Sequence, residues 1–168
     1  LKRLSQEARN VITIENDENK WGIEDSLELA DDLALVLDIH HHWCREGEYI
    51  SPTDDRFVRV IDSWRGVRPV IHYSYSRNEH LPEGYAHDTM PSMSKLLEAG
   101  HKKAKLRAHS DYYPNQLVND YALSFLDYAD IMCESKCKNL ASIELYKYYT
   151  GDQYDILEQD VQSFSAVA

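Results

Sequence analysis

Short apolar runs recur along the chain, and an acidic residue or a histidine follows each of them. The run 34–37 is wholly apolar and only four residues long, which is typical of a strand buried on both faces of a parallel sheet. We predict strands at 11–14, 34–37, 69–71 and 130–133, and a further short run at 106–108 leads into His109. The chain is therefore predicted to repeat one order: strand, ligand-type residue, loop and helix.

Between these runs, apolar residues recur at helical spacing. We predict helices at 23–33, 51–64, 114–126 and 138–149, with Gly66 and Gly151 ending the second and the last. Two stretches are predicted to lack regular structure: a long loop at 40–53, and an insertion at 77–105 with one short helix near 93–99. Residues 1–150 are expected to form one α/β unit, and residues 151–168 a polar tail.

Parallel strands joined by helices all end on the same side of their sheet. We therefore expect the residues that follow the successive runs to converge on one rim, as active-site residues do in a (β/α) barrel. These residues are Glu15, Asp38, His72, His109 and Glu134. A short turn after the second strand would bring His41 to the same place.

The mixture of carboxylates and imidazoles decides which chemistry is expected at this rim. Hard oxygen ligands beside borderline nitrogen ligands suit Zn, Mn or Fe better than Ca or Mg. Two or three such ions, about 3.5–4 Å apart, are the usual apparatus for hydrolysis of a phosphodiester. Each residue taken alone is equally typical of a solvated strand end, so the recurrence favours the metal site. His40 and His42 stay open between a supporting and an exposed role, and His80, His87 and His101 are expected to be solvated.

Composition narrows the classes of function. The formal net charge is −11, from 29 acidic and 18 basic residues, which argues against a protein that grips DNA by general electrostatics but not against one that uses bound cations. The three cysteines form no disulfide framework, which favours an intracellular location, in the cytoplasm or nucleus. No apolar run has membrane-spanning length, and the start does not look like a signal peptide. Leu1 leaves open that the chain is a segment of a longer protein.

Five motifs follow one another from about residue 11 to residue 149. They are TIENDE (13–18) with Trp21, LDIHHH (37–42), IHYS (71–74), AHSD (108–111) and MCESKCK (132–138). As an ordered set they resemble the UV-damage endonuclease family, a metal-dependent TIM barrel related more distantly to endonuclease IV and to xylose isomerase-like barrels. The resemblance implies an α/β fold in which this chain supplies about the last four β/α units of a (β/α)8 barrel. It also implies damaged double-stranded DNA as the partner, nicked 5′ to UV photoproducts and some other lesions.

The resemblance further implies which residues hold metal. Glu15 would bridge two ions, and Asp38 and Glu134 would join it in catalysis and, with His72, complete the site of the second ion. A third ion would be held by two histidines, His41 and His109. The implied cofactors are two or three divalent ions, Mn or Zn, and a metal-bound hydroxide would attack phosphorus to leave a 3′-hydroxyl and a 5′-phosphate.

Basic residues match the family less completely. Lys136 and Lys138 match basic positions of the last motif and are expected to contact DNA phosphates. Val70 departs from the pattern, because family members commonly carry a lysine two residues before the histidine of the IHYS motif.

Length is the larger departure, since a complete barrel takes about 250 residues and this chain has 168. Half a barrel exposes a long apolar flank, so we expect it to pair with a missing amino-terminal half-barrel or another chain, to self-associate, or to be rearranged. Two alternatives stay open: a sugar isomerase of the xylose isomerase-like barrels, and a truncated, non-catalytic metal-binding or assembly domain.

Overall fold

One parallel sheet organises the protein. The structure is a computed structural model that describes residues 3–83, 85 and 87–151. Its strands follow one another across the sheet in chain order: β1 (Thr13–Glu15), β2 (Ala34–Asp38), β3 (Val70–Tyr73) and β4 (Asp130–Cys133). Every neighbouring pair is parallel. The four predicted strands are confirmed, each displaced by no more than two residues at either end.

Helices occupy the connections between the strands. They are α1 (Gln6–Asn10), α2 (Ile23–Leu27), α3 (Ile39–Glu46), α4 (Asp55–Ser63), α5 (Met93–Glu98), α6 (Lys103–Leu106), α7 (Gln116–Leu123) and α8 (Asn139–Thr150). Helix α2 is shorter than the predicted 23–33, because single turns rather than a continuous helix carry the chain on to Leu33. The predicted helices near 51–64, 93–99, 114–126 and 138–149 are confirmed within their core residues. The fold is therefore α/β, as predicted.

Strand β2 lies at the centre of the core. All of its residues are buried, which explains why its sequence is apolar up to its final aspartate. Phe57 of α4 packs edge to face against Phe125, with ring centroids 4.9 Å apart. Each buried ring or leucine of this kind stabilises the fold by about 2 kcal/mol. The edge strand β4 is more open, and Met132 is 52% exposed.

The prediction of a loop at 40–53 is wrong in its first half, because residues 39–46 form α3. Oδ1 of Asp38 accepts a hydrogen bond from the backbone N–H of His41 at 2.7 Å and so caps the helix. Ile39 and Trp43 are buried one turn apart, and Gly47 ends the helix at φ 78°, in the left-handed region that favours glycine. The hydrophobic pattern does not predict this helix, because its buried face includes histidines, which count as polar.

The run at 106–108 does not form a strand, and His109 reaches the rim by another route. Leu106 is the last residue of α6, and His109 forms an isolated antiparallel bridge with Ser76. The hydroxyl of Ser76 donates to the Leu106 carbonyl at 2.6 Å, and the Arg77 N–H donates to the Ala108 carbonyl at 3.0 Å. These bonds use the backbone of the run locally, so the chain crosses the end of β3 instead of joining the sheet.

Within the described residues, no helix is both long enough and apolar enough to cross a membrane. Gly151, at φ 67°, ends α8 as predicted. The polar tail predicted from residue 152 onwards lies outside the described residues.

Asn115 ties the irregular insertion to the core. It is fully buried, its Oδ1 caps α7 by accepting from the Val118 N–H, and its amide nitrogen donates to the carbonyls of Tyr85 and Thr89 at 2.8 and 2.9 Å. One side chain therefore serves both a helix start and the insertion that precedes it.

We expect Asn115→Ala to lower the free energy of unfolding by about 2–4 kcal/mol, because it leaves several buried polar groups unpaired. Asn115→Asp keeps the capping oxygen but turns a carboxylate towards two carbonyls, so it should be no better tolerated. Urea unfolding followed by circular dichroism measures both. Asn139→Ala, at an exposed helix start, is the control and should change stability by less than about 0.5 kcal/mol; equal losses at both positions would contradict this role of Asn115.

Candidate metal centre

Four side chains from the carboxyl ends of the four strands meet at one point. Glu15 ends β1, Asp38 ends β2, His72 lies near the end of β3, and Glu134 follows β4 directly. Each offers one ligand atom, and these atoms all lie within 4.8 Å of one another. The strands register Asp38 beside His72, and His72 beside Met132, so the sheet itself aligns the cluster.

His72 lies between two of the acids. Its Nδ1 is 3.2 Å from Oε1 of Glu15 and 3.3 Å from Oε1 of Glu134. His41 approaches from α3, with its Nδ1 3.2 Å from the same Glu15 oxygen and 3.6 Å from Oδ2 of Asp38. Glu15 therefore has an imidazole on each side.

Asp38 is the most deeply buried acid of the group, with a side chain that is 0% exposed. Its Oδ1 caps α3, but its Oδ2 is buried without a hydrogen-bond partner. Nδ1 of His72 is likewise buried and makes no hydrogen bond. A cation would satisfy both atoms, and oxygen with imidazole nitrogen is a donor set suited to Zn or Mn. The residues present thus fit a divalent metal.

The electrostatics of the cluster follow from burial and from like charges. Burial raises the pKa of Asp38 to about 7, opposed by His41 and reinforced by the charges of Glu15 and Glu134. Burial also disfavours the charge on Glu15, but the adjacent imidazoles of His41 and His72 outweigh it and lower the pKa of Glu15 to about 2. The carboxylates reciprocally raise the pKa of both histidines against their own burial, that of His41 to about 9. Without a cation, the cluster thus neutralises part of its charge with protons.

His109 lies beside this cluster but is not one of the four residues that share it. Its Nδ1 contacts the Glu134 carbonyl at 2.9 Å, and its ring centroid is 6.0 Å from that of His41. The two histidines predicted as a pair are therefore neighbours, although a loop rather than a strand brings His109 there.

The other two histidines of the 40–42 run have separate surroundings, which the sequence could not distinguish. His40 is buried, stacks on Trp43, and has its Nε2 3.6 Å from the Cys44 sulfur. Burial and the charges of His109 and His41 lower the pKa of His40 to about 3, so it stays neutral. His42 is buried on the far side of the helix turn, where its Nε2 contacts Glu48 at 3.2 Å. Both support the helix that carries His41.

Asn16 holds the cluster in place, and sequence reasoning missed it. Its side chain is fully buried and brackets the backbone of Asp38: the amide donates to the Asp38 carbonyl at 3.0 Å, and Oδ1 accepts from the Asp38 N–H at 2.9 Å. Its own carbonyl contacts Nδ1 of His41 at 3.0 Å. The only signal in the sequence is its position directly after Glu15.

Tyr113 plays a similar part at the other end of the sheet. Its hydroxyl donates to the Tyr73 carbonyl and accepts from the Ser135 N–H, each at 3.1 Å. These bonds fix the backbone directly after Glu134 and the Tyr73 carbonyl, which also accepts a hydrogen bond from the Glu134 N–H at 2.9 Å. Its ring stacks on Tyr73 with centroids 4.6 Å apart.

The basic residues of the last motif are exposed and lie next to the cluster in sequence. The Lys136 N–H donates to the Ser110 carbonyl at 2.9 Å, which links the motif to the loop after His109. Lys138 precedes α8 with φ 48°. Val70 occurs two residues before His72 on β3, so the two side chains lie on the same face of the sheet.

Comparison with known proteins agrees with this geometry. The family model for UV-endonuclease UvdE matches residues 1–163. The UV DNA damage endonuclease of Bacillus velezensis is 24% identical over 157 residues, which cover 86% of this chain and 40% of that protein. The UV-damage endonuclease of Schizosaccharomyces pombe is 29% identical over 159 residues, covering 88% of this chain and 22% of that protein.

The likeness extends to a solved structure. The crystal structure of SacUVDE superposes with a TM-score of 0.59 at 19% identity, over 89% of this chain and 43% of that one. It confirms the predicted fold class, part of a TIM-barrel-like α/β fold. The chain spans less than half the length of each of these proteins. With its ordered motifs and a family match over nearly its whole length, the chain belongs to the UV-endonuclease UvdE family.

Proposed function

We propose that this chain is the carboxyl-terminal half of a metal-dependent DNA-repair endonuclease that cleaves a phosphodiester 5′ to UV photoproducts and other lesions. The observation that carries the proposal is the meeting of Glu15, Asp38, His72 and Glu134 within 4.8 Å. Membership of the UvdE family supports damaged double-stranded DNA as the substrate.

The four residues of the cluster would hold divalent ions, Mn or Zn, and His41 with His109 would bind beside them. When bound, such ions act as Lewis acids that polarise a phosphoryl oxygen and offset the charge on the leaving oxygen. Glu15 has an imidazole on each side and a pKa lowered to about 2, so it stays an anion able to bridge two ions. The buried Asp38 would give its unpartnered oxygen to the site.

The remaining residues would orient the substrate. Lys136 and Lys138, exposed just after Glu134, would contact phosphates next to the scissile one. His40 and Trp43 belong to the same helix as His41, and their stacked, buried rings help to keep His41 in place.

The other half of the barrel would come from a second polypeptide segment. Residues 1–150 would form one half-barrel, and the chain spans 43% of the SacUVDE structure. Along β1 and β4, the two edges of the described sheet, backbone groups remain free to pair with such a segment.

The test is nicking of UV-irradiated supercoiled plasmid with Mn, using this chain alone and mixed with the amino-terminal half of the Bacillus velezensis relative. We expect Mn-dependent nicking in the mixture, absent with undamaged plasmid. Bound Mn without nicking in either reaction would refute the endonuclease and favour a non-catalytic metal-binding domain. Turnover of a ketose instead would favour the sugar isomerase.

Removing one ligand charge should lower metal affinity and nicking together. Glu15→Gln and Asp38→Asn keep side-chain size, and the asparagine keeps an oxygen to cap α3. Loss of a residue that hydrogen-bonds a metal ligand typically weakens metal binding about 10–100-fold, and each of these changes to a ligand should weaken Mn binding at least as much. The circular dichroism spectrum should be unchanged. Calorimetric titration with Mn measures the affinity. Glu28→Gln, an exposed acid on the turn after α2, is the control, and nicking within a few-fold of wild type for Glu15→Gln would show that this residue does not bridge metal.

Asn16 is expected to act as a positioning residue. Asn16→Ala removes both bonds to the Asp38 backbone and should weaken Mn binding about tenfold, besides lowering the free energy of unfolding by about 2 kcal/mol. Asn16→Asp keeps the acceptor for the Asp38 N–H but turns a buried carboxylate towards the Asp38 carbonyl, so it should recover no stability. If the folded Asn16→Ala protein bound Mn as tightly as wild type, Asn16 would serve the fold alone.

A further inference from the structure

An acidic chain concentrates positive charge in one short segment of its insertion. Residues 99–110 contain no Asp or Glu, whereas four of the chain's 18 basic residues lie within them: Lys102, Lys103, Lys105 and Arg107. The formal net charge of the whole chain is −11, so the segment is opposite in sign to the protein that carries it. We call residues 102–107 the basic segment; it consists of α6 and its two flanking residues.

The basic segment lies on the rim that holds the metal ligands. The Lys103 amine donates to the Arg45 carbonyl at the end of α3 at 2.6 Å, and the Arg107 guanidinium donates to the Asn19 side chain. Asn19 belongs to the loop after β1, whose Glu18 has its Oε2 3.7 Å from Nε2 of His41. The segment is therefore separated from the cluster by one loop and one helix.

The acceptors of these two cations are neutral, so their charges are held in place without being cancelled. Over residues 3–83, 85 and 87–151, no side chain of the basic segment pairs with a carboxylate. Elsewhere five arginines do form such pairs: Arg9, Arg45, Arg56, Arg68 and Arg77. Lys102 and Lys105 are exposed, and within the described residues their amines form no hydrogen bond or ion pair.

We infer that the basic segment is a binding surface for the phosphate backbone of duplex DNA, with Lys102 and Lys105 as the contacting residues and Lys103 and Arg107 anchoring α6 to the rim. The surface rests on the proposed function and adds the place where the duplex lies beside the metal centre. Unpaired amines on a rigid element gain most from phosphates, since each contact releases condensed counterions. It also explains how a chain of net charge −11 accepts a polyanion, because attraction is confined to the rim.

The experiment measures binding of the full chain to a fluorescent UV-irradiated duplex by anisotropy, with Mn present, over a series of KCl concentrations. A nick leaves the duplex annealed, so the signal is independent of cleavage. Lys102→Gln with Lys105→Gln should weaken binding about tenfold and lower the slope of log K against log salt by about 1.8, the value for two phosphate contacts. Mn titration of the double variant should match wild type.

The control makes the same change in net charge outside the basic segment. It combines Arg65→Gln, beside the first residues of β1 and β2, with Lys147→Gln in the last turn of α8. The control should bind within twofold of wild type. If wild type binds the duplex and the Lys102/Lys105 variant binds equally tightly with the same slope, the surface is refuted while the proposed function stands. If wild type with bound Mn, mixed with the amino-terminal half used in the nicking test, does not bind the duplex, the proposed function fails, and the surface with it.

Discussion

The burial of Asp38 is the constraint on which the site depends. A carboxylate removed from water, with two further acids nearby, is costly to keep ionised, and its pKa rises to about 7 for that reason. Three sets of contacts offset the cost: the α3 cap, the Asn16 bracket on its backbone, and the imidazole of His41. Oδ2 of Asp38 still has no hydrogen-bond partner. The fold thus builds a deficit of positive charge at the point where four strands end.

That deficit links stability to metal binding. A ligand that binds only the folded state stabilises it by mass action, and here the groups that would bind are the ones the metal-free fold satisfies least. The carboxylates raise the pKa of His41 to about 9, and the imidazoles lower that of Glu15 to about 2. Protons on the imidazoles therefore partly take the place of the cation. The neutral His40 behind them adds no charge of its own. The residues around the cluster therefore behave as one electrostatic unit.

The sheet could be predicted from the sequence because β2 and its neighbouring strands consist largely of apolar residues, as buried strands do. Each short apolar run ends in a ligand-type residue, and parallel strands all end at the same edge of a sheet. These two facts are enough to predict that Glu15, Asp38, His72 and Glu134 meet. Helix α3 could not be predicted in this way, because its buried face includes His40 and His42, residues that a hydrophobic pattern counts as polar. The place of His109 depended on a serine hydroxyl bonded to the Leu106 carbonyl, a tertiary contact that no local pattern encodes. Asn16 was missed because its importance lies in which backbone it contacts rather than in its residue type.

All four ligand positions of the cluster come from the half of the barrel that this chain contains. Forming the metal site and holding the damaged DNA can therefore depend on different parts of the barrel. Since neighbouring strands align the cluster by their own register, the site needs no partner for its geometry. The open edge of the sheet, in contrast, does lack a covering partner among the described residues. At least half of each of three apolar side chains is exposed there: Met132 on β4, and Leu140 and Tyr146 on α8. Apolar side chains at an unpaired strand are what a continuing barrel would cover. Under the proposed function, metal binding would be a property of this half, whereas any step that needs a lesion held across the barrel would depend on what closes that edge.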